Sequence, residues 1–375
     1  MEVVAPKKSL GRLLSRCQGV ADRRSTMPVL ANVLLTAEGN VLHVAATDLY
    51  VSVSGGLDAE VERAGSIAVP AREMYERVNA MPDGPVRITV SETATIVIKA
   101  TASARRYTLH GLPGADFPAL PRPEEEAVRL VLPVQTLGRL IARTHFSISP
   151  DETRSHLNSA LFECASGLVR MVSTDGHRLS KMEMEIEEHE ASATMLVPLK
   201  AIKELRRLSD EAAGSGEEGS VTISQAGPNA FFELGGIQFS VKLVDAQFPP
   251  YEQVIPSTSE RVVRTSRLQL LDALKAVKLA ASDRTKGVKL SLAQNALHIT
   301  SESPESGSGF DEVSIDYEGP EMCVGFNAEY LMDVLTAIDD DEVTLGLTGE
   351  LDPAVLRPAT KTDDRYVAVV MPMRV

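Results

Sequence analysis

The sequence predicts an α+β protein made of three tandem copies of one domain, each with two helices packed on antiparallel sheets. Segment 10–16, LGRLLSR, returns as 137–143, LGRLIAR, and a looser copy, LDALKAV, spans 271–277. A period of roughly 130 residues is the size of a domain, whereas solenoid and propeller repeats are several times shorter. Three similar domains in a row build an arc, and an arc with complementary ends can close into a ring.

Composition narrows the class of protein. Hydrophobic residues make up 43% of the 375 residues, but Trp is absent and aromatics reach only 4%, so aliphatic side chains must fill the cores. The sequence has no apolar run of the length of a membrane span, and residues 1–8 lack the apolar stretch of a signal peptide. The isolated Cys17, Cys164 and Cys323 are interpreted as reduced core thiols, which predicts a cytoplasmic protein.

Apolar periodicity predicts the elements of the first copy. Helical spacing of its Leu and Cys residues predicts a helix over 7–19, and Pro70 precedes a second helix predicted over 71–80. Alternating apolar residues predict strands at 32–36, 41–45, 86–90 and 95–99.

The second and third copies repeat this order. Helices are predicted at 135–146, 199–210, 268–281 and 327–338. Strands are predicted at 159–164, 169–173, 221–224, 237–243, 288–292, 296–300, 343–347 and 367–371. The Ser-, Glu- and Gly-rich segment 301–310 is interpreted as a mobile loop.

Two similar segments mark the ends of the first two copies. GADFP at 114–118 matches DAQFP at 245–249, and each precedes a Pro-rich or polar stretch that reads as a linker. These linkers place the domains at 1–125, 126–257 and 258–375.

Positive charge is concentrated on the predicted helices. The chain has a formal net charge of −14, yet the six helices together are net positive, so the remainder is strongly acidic. One interpretation is a set of solvated helix faces, the usual place for Lys and Arg. The other is a basic helical surface that attracts a phosphate backbone without reading bases. Arg12 and Arg16, like Arg139 and Arg143, are spaced i, i+4 and would share one face.

Motifs for catalysis are weak. The Gly-rich segment 214–219 lacks the Lys-Ser/Thr of a phosphate-binding loop and is interpreted as an ordinary loop. His177 lies near Asp175, Ser173 and Ser180, but no nucleophile-elbow motif is present, and neighbours in sequence rarely form a catalytic triad. No His and Cys residues have metal-site spacing. We therefore expect a protein that is not an enzyme and has no cofactor or metal.

Three further motifs carry a resemblance to a known family. They are TDGHRL at 174–179, FPPY at 248–251 and VVMPMRV at 369–375. In this order, within a triplicated chain, they make the whole sequence resemble the beta subunit of bacterial DNA polymerase III, the beta sliding clamp. The resemblance implies three DNA-clamp domains per chain and a head-to-tail homodimeric ring of six domains. Helices would line the hole of this ring, and sheets would form its wall.

The function implied by the resemblance is processivity. Such a ring encircles double-stranded DNA without sequence preference and tethers the catalytic subunit of DNA polymerase III and other clamp-binding-motif proteins. It is opened by an ATP-driven clamp loader, since no nucleotide site is visible in this sequence. Two alternatives remain at this point: a clamp paralogue that sequesters a ligand or partner in the same pocket, and an acidic scaffold that binds no DNA.

The resemblance also assigns three groups of residues. The pocket for partner peptides would comprise Leu157, Thr174, Gly176, His177, Arg178, Leu179, Pro249, Val254, Val369, Val370, Met371, Pro372, Met373 and Arg374. The DNA-facing residues would be Arg24, Arg72, Arg139, Arg143, Lys200, Lys203 and Arg206. The dimer interface would use Arg106, Tyr107 and Leu109 of the first domain with Leu279, Ala280 and Glu305 of the third.

Simpler interpretations of these segments stay open. Segment 174–179 could be an ordinary strand and turn, and 371–375 an ordinary final strand. Arg206 and Arg207 could serve only in helix ion pairs with Glu204 or Asp210. Two departures from the family, Gln253 and segment 352–354, leave the choice of partner peptide open.

Overall fold

The computed structural model describes residues 1–124, 128–187, 192–214, 219–360 and 365–374. Its contacts divide the chain into two compact units, Met1–Leu137 with Lys203–Leu243, and Gly138–Ile202 with Val244–Val375. In the described part the α-helices are α1 (Lys7–Gln18), α2 (Ala71–Asn79), α3 (Val134–Thr144), α4 (Leu199–Ala213), α5 (Arg267–Val277) and α6 (Ala328–Ala337).

The strands are short and numerous. In the first unit they are β1 (Glu2–Pro6), β2 (Asn32–Glu38), β3 (Val41–Thr47), β4 (Val51–Asp58), β5 (Glu60–Arg63), β6 (Gly65–Pro70), β7 (Pro85–Val90), β8 (Thr95–Ala100), β9 (Arg106–His110), β10 (Leu112–Pro113), β11 (Arg129–Pro133), β16 (Ser220–Ala226), β17 (Asn229–Leu234) and β18 (Ile237–Lys242). In the second they are β12 (Ser159–Ala165), β13 (Leu168–Thr174), β14 (Arg178–Glu185), β15 (Ala193–Pro198), β19 (Arg261–Ser266), β20 (Gly287–Ala293), β21 (Ala296–Ser303), β22 (Gly307–Ser314), β23 (Met322–Asn327), β24 (Glu342–Leu347), β25 (Ala354–Pro358) and β26 (Tyr366–Val370).

Each helix follows directly on a strand, and the last residue of the strand explains why the strand ends and the helix begins there. Pro6 and Pro70 end strands and precede α1 and α2 with extended backbone and no side-chain cap. Proline fixes φ and has no N–H that a strand neighbour must satisfy, so it suits the last position of a strand before a helix. The third copy uses side-chain caps instead: Ser266 accepts from Gln269 N, and Asn327 accepts from Glu329 N.

The first unit contains two antiparallel sheets. The five-stranded sheet has the order β5-β1-β7-β8-β9, and the nine-stranded sheet has the order β10-β6-β2-β3-β4-β18-β17-β16-β11. In the larger sheet β4 pairs with β18, which lies far along the chain, with Val51 opposite Val241. This pairing joins strands of the first copy to strands of the second.

The second unit repeats that arrangement. Its eight-stranded sheet has the order β15-β12-β13-β14-β26-β25-β24-β19, and its four-stranded sheet has the order β22-β21-β20-β23. Here β14 pairs with β26, with Arg178 opposite Val370. Strands β4 and β14 therefore have equivalent places, and so do β18 and β26. By the same order, β22 is the third-copy equivalent of β4 and β14, and β9 is the first-copy equivalent of β18 and β26.

Helices and sheets are joined by aliphatic cores, as the composition predicts. Leu10, Leu14 and Cys17 of α1 are fully buried, and Met74 and Val78 of α2 are buried as well. Burial raises the pKa of the Cys17 thiol to about 12, so this cysteine stays protonated and unreactive at neutral pH. No helix in the described ranges is long and apolar enough to cross a membrane.

Most predicted elements are confirmed within one to three residues, and the six predicted helices all exist. The interpretation of 301–310 as a mobile loop is wrong, because β21 continues to Ser303 and β22 begins at Gly307. Pairs such as Ser301 with Gly309 make it a hairpin. Of the Gly-rich segment 214–219, residues 215–218 lie outside the described residues, as does the predicted boundary at 125–126.

Candidate functional site

The segment TDGHRL forms a tight turn between β13 and β14. Asp175 accepts from the backbone N–H of His177 at 2.9 Å and of Arg178 at 3.0 Å, and Thr174 Oγ1 accepts from Gly176 N at 3.1 Å. Gly176 has φ of +93°, a conformation that costs little only without a side chain. The simple interpretation as strand and turn is therefore correct for the backbone, and it presents His177 at the tip.

Arg178 is the centre of this region. Its side chain is 11% exposed and forms ion pairs with Asp175 and Asp333. It also donates to the backbone oxygen of Phe146 at 2.6 Å, and its guanidinium lies 4.4 Å from the centroid of the Tyr330 ring. Because its hydrogen-bonding groups are engaged inside the protein, Arg178 positions the turn and offers little free charge to a ligand.

The chain beyond β26 runs alongside the turn. Met371 N donates to the backbone oxygen of His177 at 2.8 Å, and Met373 N donates to Gly325 O on β23 at 2.8 Å. Met371 is 37% exposed, and Pro372, Met373 and Arg374 are at least partly exposed. The segment is therefore not the ordinary final strand of the simpler interpretation, because the strand ends at Val370 and the next residues lie open beside the turn.

A buried apolar cluster lies beneath both segments. Leu179 and Val369 are directly opposite each other on β14 and β26. Phe248 packs against the same cluster, which includes Tyr251, so segment 248–255 joins this side of the unit. The complete cluster consists of Leu161, Val172, Leu179, Leu196, Tyr251 and Val369, with Val244, Phe248 and Ile255 at its margin.

The predicted pocket residues fall into three sets, the first of which is Gly176 and Arg178, which form and hold the turn. Leu157, Thr174, Leu179, Val369 and Val370 are buried and form the floor or hold the turn. Those with accessible side chains are His177, Pro249, Val254, Met371, Pro372, Met373 and Arg374.

Leu157 is tied to the turn through Arg154, which accepts from Leu157 N at its backbone oxygen and donates a side-chain N–H to Asp175 O at 3.3 Å. An accessible apolar rim over a buried aliphatic floor suits a short peptide with hydrophobic anchors.

Sequence reasoning missed the residues contributed by α6. Tyr330 stacks on His177 with ring centroids 6.4 Å apart and planes at 20°. Burial, followed by the nearby Asp175 carboxylate, raises the pKa of Tyr330, so the phenol stays neutral at physiological pH. The helix predicted over 327–338 contains Tyr330, but only the tertiary structure places that helix against the turn.

The first copy contains a second turn of the same design between β3 and β4. Asp48 accepts from Tyr50 N at 2.9 Å and Val51 N at 2.6 Å, and Thr47 Oγ1 accepts from Leu49 N at 3.0 Å. Tyr50 O accepts from Lys242 N at 2.8 Å, as His177 O accepts from Met371 N. The two turns are therefore equivalent atom for atom in their main-chain bonding.

The floor beneath the first-copy turn is different. Strand register makes Ser52 the equivalent of Leu179, and Ser240, which lies opposite Ser52, the equivalent of Val369. Both serines are buried, and Ser52 shares a hydrogen bond with Thr47 at 2.8 Å. A hydroxyl floor cannot match the apolar surface that Leu179 and Val369 provide. Of these two turns, the one at 174–178 therefore lies over an aliphatic floor and the one at 47–51 does not.

The predicted DNA-facing residues are mostly exposed, with one correction. Arg143 is 2% exposed, pairs with Asp339 at 3.0 Å and lies 5.4 Å from the centroid of the Tyr366 ring, so the prediction that it faces DNA is wrong. Its helical neighbour Arg139 is exposed. The other exposed members of this set are Arg24, Arg72, Lys200, Lys203 and Arg206.

Several of these cations have acidic neighbours. Arg72 pairs with Glu76 at 2.6 Å and Arg206 with Asp210 at 3.8 Å, as the simpler interpretation of Arg206 expected. In α1, Arg12 is 51% exposed but pairs with Glu211, and Arg16 is buried against the same carboxylate. In each i, i+4 pair the first arginine, Arg12 or Arg139, is exposed and the second, Arg16 or Arg143, is buried, so the two arginines of a pair do not share an exposed basic face.

The predicted dimer residues lie on or beside the edge strands β9 and β22. Arg106 and Tyr107 are accessible on β9, Glu305 is exposed in the hairpin turn before β22, and Leu279 is 82% exposed. Leu109 and Ala280 are 7% and 6% exposed and pack inside the unit, so their side chains add little to an interface. Phe310 on β22, which the prediction omitted, is 65% exposed.

The two departures from the family pattern are also located. Gln253 is exposed in the short helix after Pro250, one residue before Val254. Ala354 begins β25 opposite Val370, so segment 352–354 leads directly to the strand beside β26. No group of His, Cys, Asp and Glu residues within the described ranges is arranged to hold a metal ion.

Comparison with known proteins agrees with this geometry. Family models of the DNA polymerase III beta subunit match in order: the N-terminal domain at residues 1–121, the central domain at 131–250 and the C-terminal domain at 252–374. The beta sliding clamps of Pseudomonas putida and Pseudomonas aeruginosa are 36% and 34% identical to this chain, with all of both chains covered.

Solved structures give the same result. A crystal structure of the DNA polymerase sliding clamp from Pseudomonas aeruginosa has a TM-score of 0.91 at 33% identity. A sliding clamp from Bartonella birtlesii bound to griselimycin has a TM-score of 0.93 at 32% identity, and in both cases the two chains are covered completely. The chain, with three tandem clamp domains, therefore belongs to the DNA polymerase III beta subunit family, the beta sliding clamps.

Proposed function

We propose that this chain forms a head-to-tail homodimeric ring that encircles double-stranded DNA and tethers the replicative polymerase and other replication and repair proteins. The ring is a processivity factor in the cytoplasm and carries out no catalysis itself. Its domains span 1–125, 126–257 and 258–375. The observation that supports this proposal most directly is the repeated strand pairing, which leaves one strand of each pairing type, β22 and β9, at a sheet edge with a neighbour on one side only.

Those two strands are β9 and β22. Strands β4 and β14 each pair with the last strand of a following copy, β18 and β26. Their third-copy equivalent, β22, lies at a sheet edge, and so does β9, the first-copy equivalent of β18 and β26. Pairing of β22 with β9 of a second chain would repeat the internal junction, and it would cover two edges that otherwise invite aggregation.

The side chains on these edges support the pairing. Phe310 and Leu279 give the third-copy edge an exposed apolar surface, and Glu305 adds an acidic side chain there, while Tyr107 of β9 offers an aromatic ring and Arg106 a cation. Interfaces are enriched in aromatic residues and arginine, and apolar anchors at their centre usually carry most of the affinity. Closure by two chains, giving six domains, follows the family resemblance.

The DNA surface consists of the exposed cations Arg24, Arg72, Arg139, Lys200, Lys203 and Arg206. The chain as a whole is acidic, so such cations attract a phosphate backbone locally while the rest of the protein repels it. Partial neutralisation of Arg72 by Glu76 weakens the contact that Arg72 can make with a phosphate. Weak contacts suit a ring held by topology, since tight phosphate binding would oppose sliding.

The pocket around His177, Met371 and Val254 binds the partners. Its aliphatic floor and accessible methionines fit the hydrophobic anchors of a short peptide, and methionine adapts to different partners. The catalytic subunit of DNA polymerase III and other proteins with a clamp-binding motif would share this one pocket. An ATP-driven clamp loader opens the ring.

The deciding experiment compares retention on nicked circular and linear DNA after loading, at moderate salt. Retention on circles with loss from linear ends supports encirclement, because only a free end releases a topologically linked ring. Equal behaviour on both substrates would contradict the ring and would favour a clamp paralogue or a scaffold that binds no DNA.

Two variants separate the surfaces. Deletion of 371–375 is expected to abolish binding of a clamp-binding peptide and leave the dimer intact, as measured by titration calorimetry and sedimentation. Reversal of Arg24, Arg139 and Lys203 to Glu is expected to reduce loading on DNA with unchanged peptide affinity. Normal peptide binding by the truncated chain would refute the pocket, and normal loading by the triple variant would refute the DNA face.

A further inference from the structure

Two arginines at equivalent places in the repeat are buried. Arg16 and Arg143 end the repeated segments LGRLLSR and LGRLIAR, and they are 8% and 2% exposed. A guanidinium keeps its charge at any physiological pH, so its burial is unfavourable unless acceptors and a counter-charge surround it. The partners of each arginine therefore indicate why the side chain is buried.

Arg16 reaches from the first domain into the central domain. Its Nε donates to both carboxylate oxygens of Glu211 at 3.1 Å, and its Nη1 donates to the backbone oxygen of Gly235 at 3.1 Å. Glu211 lies on α4 and Gly235 in the turn between β17 and β18, both within the match to the central domain. Strand β18 is the one that pairs with β4, so Arg16 acts at that junction.

Arg143 makes the same kind of contacts one copy later. It donates to the backbone oxygen of Ala337 and pairs with Asp339 at 3.0 Å, both within the match to the C-terminal domain. Ala337 is the last residue of α6, where carbonyl groups lack partners within the helix. The guanidinium also faces the ring of Tyr366 on β26, the strand that pairs with β14.

The third copy lacks the arginine of this contact. Val277 stands at the position of Arg16 and Arg143, and it is buried and apolar. The corresponding acceptor in the first copy is already hydrogen-bonded. Ala80 has the same place relative to the start of α2 as Ala337 has relative to the start of α6, and the carbonyl of Ala80 accepts from Arg105 of the same copy. No arginine of this type is therefore available for a junction between β22 and β9.

The structure assigns Arg16 and Arg143 a shared role as junction arginines, the positioning residues that hold each pair of successive domains within one chain. The junction between two chains has no equivalent and depends on edge-strand pairing and apolar contact. The statement about the junction between chains rests on the proposed dimer, whereas the role of the two arginines within the chain does not.

The test is amide hydrogen exchange on the full-length protein, followed junction by junction. In Arg143→Gln, exchange in β14 and β26 is expected to become about tenfold faster, because a buried acceptor and an acid lose their partner. Exchange in β4 and β18 should stay unchanged. Arg16→Gln should produce the reverse pattern, and Arg284→Gln, which removes an equal charge from an exposed loop, should change neither junction.

The dimer dissociation constant, measured by sedimentation equilibrium, is expected to stay within about twofold of the wild-type value in all three variants. Unchanged exchange at the arginine's own junction, or equal acceleration at both, would overturn the role within the chain. A dimer dissociation constant raised tenfold would overturn the restriction of this role to the internal junctions. Arg143→Lys, which keeps the charge but loses the planar fork, should show intermediate exchange if Arg143→Gln does not fold. A monomeric wild type would refute the proposed dimer while leaving the exchange result interpretable.

Discussion

At the scale of single residues, the buried side chain of Arg178 holds together the elements around the candidate pocket. Arg178 contacts Asp175, Asp333, the Phe146 carbonyl and the Tyr330 ring, so it joins the turn, the short helical segment after α3 and helix α6. The family resemblance placed Arg178 among the residues of the peptide pocket. The contacts show a structural arginine whose loss would leave two carboxylates without a counter-charge.

Arg178→Ala is therefore expected to lower the free energy of unfolding by about 3 kcal/mol, since removing one partner of a buried pair leaves the other uncompensated. Arg206→Ala, whose ion pair with Asp210 is exposed, should lower it by less than about 1 kcal/mol. Chemical denaturation of both variants measures the difference. Equal effects would show that Arg178 is no more important for folding than a surface cation.

Glu211 predicts a pH dependence of stability. Burial alone would favour its neutral form, but hydrogen bonds from Arg16 and Arg12 lower the pKa of Glu211 below the usual 4.5. A lowered folded-state pKa contributes stability that is complete above the unfolded pKa and is lost as pH falls through the folded value.

The wild type should therefore exceed Glu211→Gln in unfolding free energy at pH 6 to 7, and this advantage should shrink below about pH 4.5. Denaturation at several pH values between 7 and 3 gives the comparison. An advantage that stayed constant down to pH 3 would mean that Glu211 is not held ionised by the two arginines.

The secondary-structure element of a residue could be predicted from the sequence better than the burial of its side chain. Arg139 and Arg143 share a helix and an i, i+4 spacing, yet one is exposed and the other is 2% exposed. The difference arises because α6 and β26, more than 190 residues away along the chain, cover one and not the other. Helical periodicity contains no information about such a distant neighbour.

At the scale of elements, local signals predicted helices more completely than strands. The helices have an apolar stripe of helical period and begin after Pro or a capping side chain, and both signals lie within the segment itself. Strands such as β22 and β9 are polar and exposed along much of their length, so they lack alternation. Segment 301–310 forms a hairpin because β22 pairs with β21, which in turn pairs with β20. The composition of the segment itself does not indicate this pairing.

The edge strands give a prediction about assembly. Phe310→Asp places a charge at the centre of the proposed contact between β22 and β9, and it is expected to raise the dimer dissociation constant at least about tenfold. Val131→Asp is the matched control, because Val131 is 55% exposed on β11, an edge strand with no proposed partner.

Sedimentation equilibrium measures both variants. The proposed interface would be excluded by a Phe310→Asp protein that dimerises normally, and a Val131→Asp protein that dissociates would point to β11 instead.

At the scale of the whole molecule, the first two copies share the bonding of one turn but differ in the side chains beneath it. The turn at 47–51 has the main-chain bonding of the turn at 174–178, but Ser52 and Ser240 replace the aliphatic floor. Sequence comparison of TDLYV with TDGHR shows the shared turn. The floor becomes visible only through the register of β4 with β18, which joins residues far apart in the chain.

One peptide per chain should therefore bind in titration calorimetry, although two equivalent turns exist. Tyr50→Ala at the exposed tip of the first-copy turn is expected to leave affinity and stoichiometry unchanged, because that turn lies over hydroxyl groups. Two equal sites per chain, or a weakened site in Tyr50→Ala, would show that the floor does not decide where the peptide binds.

The two different edge strands, β9 and β22, also bear on how many chains the proposed assembly can contain. In any open row of chains, however long, one β9 and one β22 remain unpaired, so adding a chain never reduces the number of bare edges. Closure alone brings that number to zero. In the proposed assembly, the same two strands would yield filaments of no fixed length if the angle between neighbours changed, and a definite size would require a bend that brings the last edge back to the first.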